Sequence, residues 1–275
     1  MLNLIVLICA NVIMIFIMKK SDESNTDSRG TLFINYVTAF ILSSISFLLK
    51  YKIELNYSLF LLAIVNGILM AICMILQKTS IIENGAGIST IYNRLGIIIP
   101  TIFSVVFLSE APKYTNILGI VLSIIAIILS YNKTNEQKII KYKYLFSILI
   151  FGGLIDFNYK IVTSFWGSRY IGQYILFSFG VAVAVMGISL CKEKFEIRKQ
   201  DIKYGMSIGL ANYCITWGVI HATLVLPSYI VFPVYSGCVI FFVNLIEWTF
   251  FKAKHTIKDS ITMVIIFLSV LLINV

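Results

Sequence analysis

Ten apolar runs separated by short charged loops make up almost the whole chain, and the pattern of the first five repeats about 141 residues later. Most runs hold 17 to 22 residues. A helix of that length crosses about 30 Å of hydrocarbon. The sequence therefore predicts an all-α, polytopic membrane protein with ten transmembrane helices. The runs cover residues 2–18, 31–50, 57–77, 87–108, 115–131, 144–163, 172–191, 204–221, 227–251 and 259–275.

The repeat divides the chain into two halves, residues 1–137 and 138–275, with five predicted helices in each. At an offset of 141, Lys19 aligns with Lys160 and Cys73 with Cys214, and the run and loop lengths agree as well. Five is an odd number of spans, so the second half must be inverted relative to the first. Many secondary transporters use such inverted repeats to expose one binding site alternately to the two sides of a membrane.

The composition fits this class, with 59% apolar and only 13% charged residues, against about 25% charged residues in soluble chains. The five cysteines lie in or beside apolar runs, without CxxC spacing, and we interpret them as small hydrophobic residues. The first apolar run has no preceding charge and no clear cleavage site. We therefore interpret it as the first span and not as a signal peptide.

The net charge of +9 comes from lysines and arginines in the loops, where we expect contacts with lipid headgroups and not with nucleic acid. The loops after spans 1, 3, 5, 7 and 9 carry sixteen of these residues and the other loops carry four. By the positive-inside rule, both termini lie outside the cytoplasm. The sequence thus predicts a multi-pass protein of the cytoplasmic membrane.

An enzyme and a passive channel fit the sequence less well than a transporter. The chain has no HExxH or phosphate-binding loop motif, and its short loops leave no room for a soluble active site. It also has no pore-loop segment and no ring of like charges. We expect no cofactor and no metal, and association into a homodimer stays open.

The strongest family resemblance lies between Gly67 and Ser130. A fourth run with a central proline, NRLGIIIPTIFSVVFLSE, leads into a tight EAPKYTN turn and a fifth run that opens ILGIVLSIIAIILS. This layout resembles the EamA-type module of the drug/metabolite transporter superfamily. Ser109-Glu110 and Gly119 stand where that module has a Gly-Glu pair and an early glycine, whereas the second half lacks the Gly-Glu pair.

The resemblance implies a bundle of ten helices in two inverted halves, with a central cavity lined mainly by spans 1, 3, 4, 6, 8 and 9. It also implies export or exchange of small metabolites. It names no substrate, because members of the superfamily carry many.

Arg94 lies in span 4, within an arc of small and polar residues that faces away from an aliphatic arc. Such a helix is typical of a cavity wall, where the guanidinium could hold a carboxylate or a phosphate. The alternative is that Arg94 extends to the headgroups. The polar arc holds Ser89, Thr90, Asn93, Arg94, Gly96, Pro100, Thr101 and Ser104.

Asp156 is the deepest charge, twelve residues into span 6, and it shares a helix face with Tyr159 and Lys160. A charge at this depth costs about 2.5–3.5 kcal/mol and needs a reason. One reason is an internal pair of Asp156 with Lys160, four residues later. The other is a site for a substrate ammonium or a coupling proton, with Lys160 modulating it.

Two further ionisable residues lie near span ends. Glu247 shares a face of span 9 with Tyr229 and is about one turn from its end, which favours an interfacial role over charge pairing in the transport path. His221 ends span 8, where a hydrogen-bonded group is more usual than a proton relay.

Pro100 and Pro233 lie in the corresponding spans 4 and 9, where each removes one backbone hydrogen bond. Helices broken at corresponding places point to a binding site, although packing alone is an alternative. In span 8, Asn212 belongs to a small and polar stripe that typically joins helices to each other. The aromatic residues Trp217 and Tyr235 could line a cavity.

Together these features predict a secondary active transporter that moves a small polar metabolite by alternating access. Arg94 and Asn93 would hold an acidic group, and Asp156 an ammonium group or a coupling proton. An amino acid or a similar zwitterion satisfies both charges. A flippase-like carrier of a lipid-linked phosphate is the alternative, with Arg94 binding the phosphate.

Overall fold

The computed structural model describes residues 2–24, 28–50, 56–84, 86–129, 140–191, 198–250 and 257–274, and all regular secondary structure in these ranges is helical. Most of the segment between the fifth and sixth predicted runs, residues 132–143, lies outside the described residues. So do several basic residues on which the predicted orientation depends, among them Lys133, Lys192 and Lys254.

Eleven helices follow one another in the described residues. They are α1 (Leu2–Glu23), α2 (Ser28–Lys50), α3 (Tyr57–Asn84), α4 (Ala86–Leu95), α5 (Ile98–Phe107), α6 (Tyr114–Leu129), α7 (Tyr142–Phe165), α8 (Ile171–Cys191), α9 (Lys199–Val225), α10 (Ser228–Thr249) and α11 (Ile257–Asn274).

Eight helical segments are long and apolar enough to cross a membrane, which indicates a multi-pass membrane protein. One of these segments, Ser89–Phe107, runs from α4 into α5. Helix α6 is apolar but shorter, at 16 residues. The segments are Leu2–Ser21, Arg29–Leu49, Tyr57–Ile81, Ser89–Phe107, Tyr142–Phe165, Ile171–Leu190, Lys199–Val225 and Ser228–Thr249.

The helix boundaries of the two sequence halves agree at the 141-residue offset. Adding 141 to the bounds of α3 gives 198–225, against Lys199–Val225 for α9. Adding 141 to the segment from the start of α4 to the end of α5 gives 227–248, against Ser228–Thr249 for α10. The other three pairs, α1 with α7, α2 with α8 and α6 with α11, agree to within four residues.

The chain packs into two compact units, and each of them combines segments from both sequence halves. The first unit comprises Met1–Met74 and Ile161–Leu224, and the second comprises Ile75–Lys160 and Val225–Val275. The predicted halves, 1–137 and 138–275, are therefore units of sequence and do not coincide with the units of packing.

In the first unit, helix α2 packs against helix α8, and the two helices run in opposite directions. The Cα of Gly180 faces the ring of Phe40, and seven residues later Gly187 faces the ring of Phe33. Going along these contacts, the residue number rises in α8 while it falls in α2, so the two helices are antiparallel. Glycine allows such close approach between membrane helices.

In the second unit, α6 packs against α11, again antiparallel. The Asn116 side chain donates to the carbonyl of Ile273 at 2.8 Å, and the hydroxyls of Ser123 and Ser269 are 2.6 Å apart. Gly119 lies between these contacts, where an added Cβ would be 2.9 Å from the carbonyl oxygen of Ser269. Small residues and interhelical hydrogen bonds thus hold the pair together.

Helix α4 ends at Leu95 and α5 begins at Ile98, so the break in this span precedes Pro100. Pro100 cannot donate to the carbonyl of Gly96, and its ring disfavours a regular helix there. The Gly96 carbonyl instead accepts from the amide of Ile99 at 3.0 Å. The expected break at Pro233 is corrected, because α10 continues through that residue as a helix.

Candidate functional site

Arg94 lies near the end of α4 and contacts Tyr235 in the middle of α10. Its Nη1 atom donates to the Tyr235 hydroxyl at 2.7 Å, and its guanidinium carbon is 5.3 Å from the centre of the Tyr235 ring. The hydroxyl of Tyr235 therefore orients the guanidinium, while the Tyr235 side chain is itself buried. This geometry fixes the direction of a planar group that binds carboxylates and phosphates through two parallel hydrogen bonds.

Helix α7 brings Asp156 to the same part of the second unit. Asp156 lies close enough to Arg94 for the two charges to interact. The helices approach closely at two glycines, because an added Cβ on Gly153 would be 2.5 Å from the carbonyl oxygen of Gly96. One residue earlier, an added Cβ on Gly152 would be 3.0 Å from Oδ1 of Asn93.

The predicted site residues Asn93, Arg94, Asp156 and Tyr235 thus come from three helices and lie in one compact unit. The break between α4 and α5 contributes to this arrangement. At this break Gly96 lies against Gly153, and α7 runs in the same direction as α4 and α5, since Tyr92 packs against Phe146 and Phe103 against Phe157. We call this group the Arg94 site.

Glu110 follows α5 and forms a second polar group that sequence reasoning did not select. Its carboxylate contacts the Lys160 ammonium at 2.7 Å. Both of its oxygens also accept from the backbone amide of Ser228, the first residue of α10, at 3.2 Å and 3.0 Å. A carboxylate is favoured at this position because the start of a helix carries a partial positive charge and unpaired amides.

The residue before Glu110 has an unusual backbone conformation. Ser109 has a φ of 55°, in the left-handed region that glycine adopts without strain. It stands where the resemblance expects the glycine of the Gly-Glu pair. The sequence motif was therefore the signal that could have identified Glu110, through the turn that follows α5.

Three other predicted residues lie on the same helices. Tyr159 is buried on α7, next to Lys160. Tyr229 is half-buried in the first turn of α10, and Glu247 is half-buried near the other end of that helix. The structure therefore separates Tyr229 from Glu247 along α10. The pairing predicted between Asp156 and Lys160 stays a prediction, since the contact described for Lys160 is with Glu110.

Asn212 and Trp217 belong to the first unit. The Asn212 side chain donates to Oδ1 of Asn35 at 3.1 Å, and both residues are buried. This bond joins α9 to α2, as expected of a polar residue that holds membrane helices together. Trp217 stacks on His221 with the ring centres 4.2 Å apart, and His221 Nδ1 is 2.8 Å from the Trp217 carbonyl.

One ion pair outside the membrane-spanning segments connects the end of α3 to the start of α7. The Lys141 ammonium is 2.7 Å from the Glu83 carboxylate, and Asn84 exchanges two hydrogen bonds with the backbone of Lys141. The hydrogen bond that the Lys141 ammonium donates to Glu83 raises the pKa of Lys141 above its ordinary value of 10.5. Among the described residues, no group of three or more His, Cys, Asp or Glu could hold a metal ion.

The chemistry available in the second unit is the binding of charged groups. Two cations, Arg94 and Lys160, and two anions, Asp156 and Glu110, lie on or beside helices that are mainly apolar. Ionisable residues inside membrane segments are costly and usually belong to a substrate or ion pathway.

No family model matches the chain, and no curated protein matches it in sequence. A solved crystal structure, described only as that of a protein, is similar to this chain with a TM-score of 0.79. The superposition covers 98% of this chain and 94% of the other, at 8% sequence identity. The chain therefore has a fold that is found in a solved protein, and at this identity the likeness concerns the fold alone.

Proposed function

We propose that the protein is a secondary active transporter of the cytoplasmic membrane, which moves a small polar metabolite by alternating access. The contact between Arg94 and Tyr235 carries the proposal. These residues are 141 positions apart, so they occupy equivalent places in the two repeats. Two equivalent residues that touch lie close to the axis relating the repeats, where inverted-repeat transporters bind their substrates.

The packing of equivalent helices supports the inversion. If the two repeats have opposite orientations in the membrane, helices that are equivalent and in contact must run antiparallel. This is the relation found between α2 and α8 and between α6 and α11. Repeats with the same orientation would instead bring equivalent helices together in parallel. The proposal therefore includes ten spans in two inverted groups of five and membership of the drug/metabolite transporter superfamily.

The charges of the Arg94 site favour a zwitterionic substrate such as an amino acid. The guanidinium of Arg94 would bind the carboxylate, and Asp156 would bind the ammonium group. A phosphate group with two negative charges fits less well, because Asp156 lies within electrostatic range of Arg94 and would repel it. Carriage of a lipid-linked phosphate is thus the weaker alternative.

Thermal unfolding of the purified protein, with and without candidate substrates, tests the choice of substrate. Amino acids, polyamines, nucleosides and sugar phosphates form the panel, because a ligand that binds only the folded state raises the melting temperature. We expect amino acids to do so. Stabilisation by sugar phosphates or lipid extracts, without an effect of amino acids, would favour the phosphate carrier.

Uptake of the stabilising compound into proteoliposomes then tests transport, and a transporter must saturate with concentration. Arg94→Ala and Asp156→Asn are expected to lower uptake at least tenfold, which corresponds to about 1.4 kcal/mol for each lost ionic contact. Arg169→Ala and Asp259→Asn are matched controls, since Arg169 lies in an exposed turn and Asp259 in the first turn of α11. Equal uptake by all four variants would contradict the assigned site.

A further inference from the structure

The side chain of Glu110 joins three segments of the second unit. It follows α5, contacts Lys160 on α7 and accepts hydrogen bonds from the first amide of α10. The exposed fractions of the Glu110 and Lys160 side chains are only 12% and 10%. Removing the charge from one member of such a pair leaves the other uncompensated in a poorly solvated place.

A buried hydroxyl lies beside this carboxylate. Ser228, whose amide binds Glu110, is fully buried, and its Oγ atom has no hydrogen-bond partner within the part of the chain that the structure describes. A hydroxyl can both donate and accept, so it can bind either a carboxylate or a protonated carboxyl group. Besides its amide, Ser228 thus carries a hydroxyl that could bind the Glu110 side chain in either protonation state.

Lys160 has a second carboxylate within reach along its own helix. Asp156 precedes it by four residues on α7, and side chains with this spacing are neighbours on one helix face, about 5–6 Å apart at Cβ. Arg94 on α4 acts on the same Asp156. The charged residue nearest to Glu110 along the sequence is Lys113, in the connection after α5, and the first turn of α10 carries no acidic residue.

We propose that Glu110 is a proton-binding site whose occupancy controls Asp156 through Lys160. A proton taken from water forms one O–H bond on Glu110 and is returned to water when that bond breaks. The neutral carboxyl group no longer attracts the Lys160 ammonium. Lys160 then turns to Asp156, which becomes unavailable to an ammonium group at the Arg94 site.

Proton and substrate consequently exclude each other, which makes exchange in opposite directions the expected form of coupling. This role in transport rests on the proposed function. The proton-dependent contact between Glu110 and the start of α10 does not rest on that function, and it can be measured without a substrate.

Hydrogen exchange of the Ser228 amide in the purified, lipid-reconstituted protein tests the proton site. Protection, corrected for the intrinsic pH dependence of exchange, is compared between about pH 8 and about pH 4. We expect protection in the wild type to fall about fivefold to tenfold on acidification, because a neutral group accepts a weaker hydrogen bond than a carboxylate. Protection that is the same at both ends of this window overturns the proposal.

Three variants separate the effect of Glu110 from general acid effects. Glu110→Gln is expected to have the low protection at every pH, and Glu110→Asp to retain the pH dependence. Glu83→Gln is the matched control, since it removes the carboxylate of an exposed Glu–Lys pair, and it should behave as the wild type. A Glu110→Gln profile that follows the wild type also overturns the proposal, and the wild-type measurement stands even if a variant fails to fold.

The two proposals fail in different ways. A pH-dependent Ser228 amide in a protein that transports none of the panel supports the proton site and contradicts the proposed function. If an amino acid is transported, a proton gradient of opposite direction should drive its uptake by the wild type. The same gradient should not drive uptake by Glu110→Gln. Uptake by Glu110→Gln that keeps its full dependence on the gradient contradicts the coupling.

Discussion

The Arg94 guanidinium donates to the Tyr235 hydroxyl at 2.7 Å, across a separation of 141 residues in the chain. The two residues hold equivalent positions in the sequence repeat but differ in chemistry, one a cation and the other a phenol. A site on the axis of the repeat can therefore be asymmetric. In the proposed transporter, this asymmetry would allow the site to distinguish the two ends of a zwitterion.

Replacement of these two residues should have graded effects. Arg94→Lys keeps the charge but loses the planar fork, so we expect the affinity for the transported amino acid to fall about tenfold or more. Tyr235→Phe removes one hydrogen bond, worth about 1 kcal/mol, and should lower the affinity about fivefold. Isothermal titration measures both effects. A larger loss from Tyr235→Phe than from Arg94→Lys would contradict direct substrate binding by Arg94.

The contact between α4 and α7 should tolerate no side chain at Gly153. A Cβ added there would be 2.5 Å from the Gly96 carbonyl oxygen and 2.7 Å from the Ile99 side chain. Gly153→Ala is therefore expected to destabilise the protein by about 1–3 kcal/mol, as overpacking usually does.

Gly187→Ala is the matched control for that substitution, because its nearest neighbour is a ring carbon of Phe33 at 3.6 Å. It should be neutral or stabilise α8 by up to about 1 kcal/mol, since alanine favours helices. Thermal unfolding in detergent compares the two variants. Equal melting temperatures would show that α4 and α7 do not approach closely at Gly153.

Glycine at position 109 should make the folded protein more stable than serine does. Its φ of 55° costs an L-residue roughly 1–2 kcal/mol, of which the greater flexibility of unfolded glycine offsets a part. Ser109→Gly is therefore expected to raise the melting temperature, and Ser109→Val to lower it, since a β-branched residue is strained there. Ser147→Gly, within α7, should instead lower the melting temperature, because glycine destabilises a helix by about 0.5 kcal/mol.

The helical class and the order of the helices could be predicted because apolar runs of membrane length are a strong signal. The ends of the helices could not. Helix α1 continues to Glu23 and α9 begins at Lys199, past the predicted limits at residues 18 and 204. Apolar composition reports the part of a helix that fits the hydrocarbon, whereas polar residues can extend the same helix into the headgroup region.

The polar groups were predictable only in part. Arg94, Asn93, Asp156 and Tyr235 were selected because each is polar or aromatic at a depth where apolar residues dominate. The contact between Glu110 and Lys160 joins residues 50 positions apart on different segments. No local spacing predicts it, and the nearest local partner of Lys160 in the sequence is Asp156.

The pair of Lys141 with Glu83 predicts a pH dependence of stability with a definite sign. Because Glu83 raises the pKa of Lys141 above 10.5, the pair stabilises the folded state below that pH and the benefit is lost as the pH rises above it. Lys141→Gln should thus lower the melting temperature slightly near pH 7 and not at about pH 11. High salt should reduce the difference near pH 7, because the pair is exposed. A difference that grows with pH would contradict this sign.

The proposed opposite orientation of the two repeats predicts a difference in accessibility at equivalent helix starts. Tyr57 begins α3, and Arg198, 141 residues later, immediately precedes α9, and both are exposed. In a protein whose own cysteines are replaced, Tyr57→Cys and Arg198→Cys should react with a membrane-impermeant maleimide from opposite sides of sealed vesicles. Permeabilised vesicles control for reactivity, and both cysteines should react there. If both react from the same side, the repeats have one orientation, and the axis that brings Arg94 to Tyr235 cannot lie in the membrane plane.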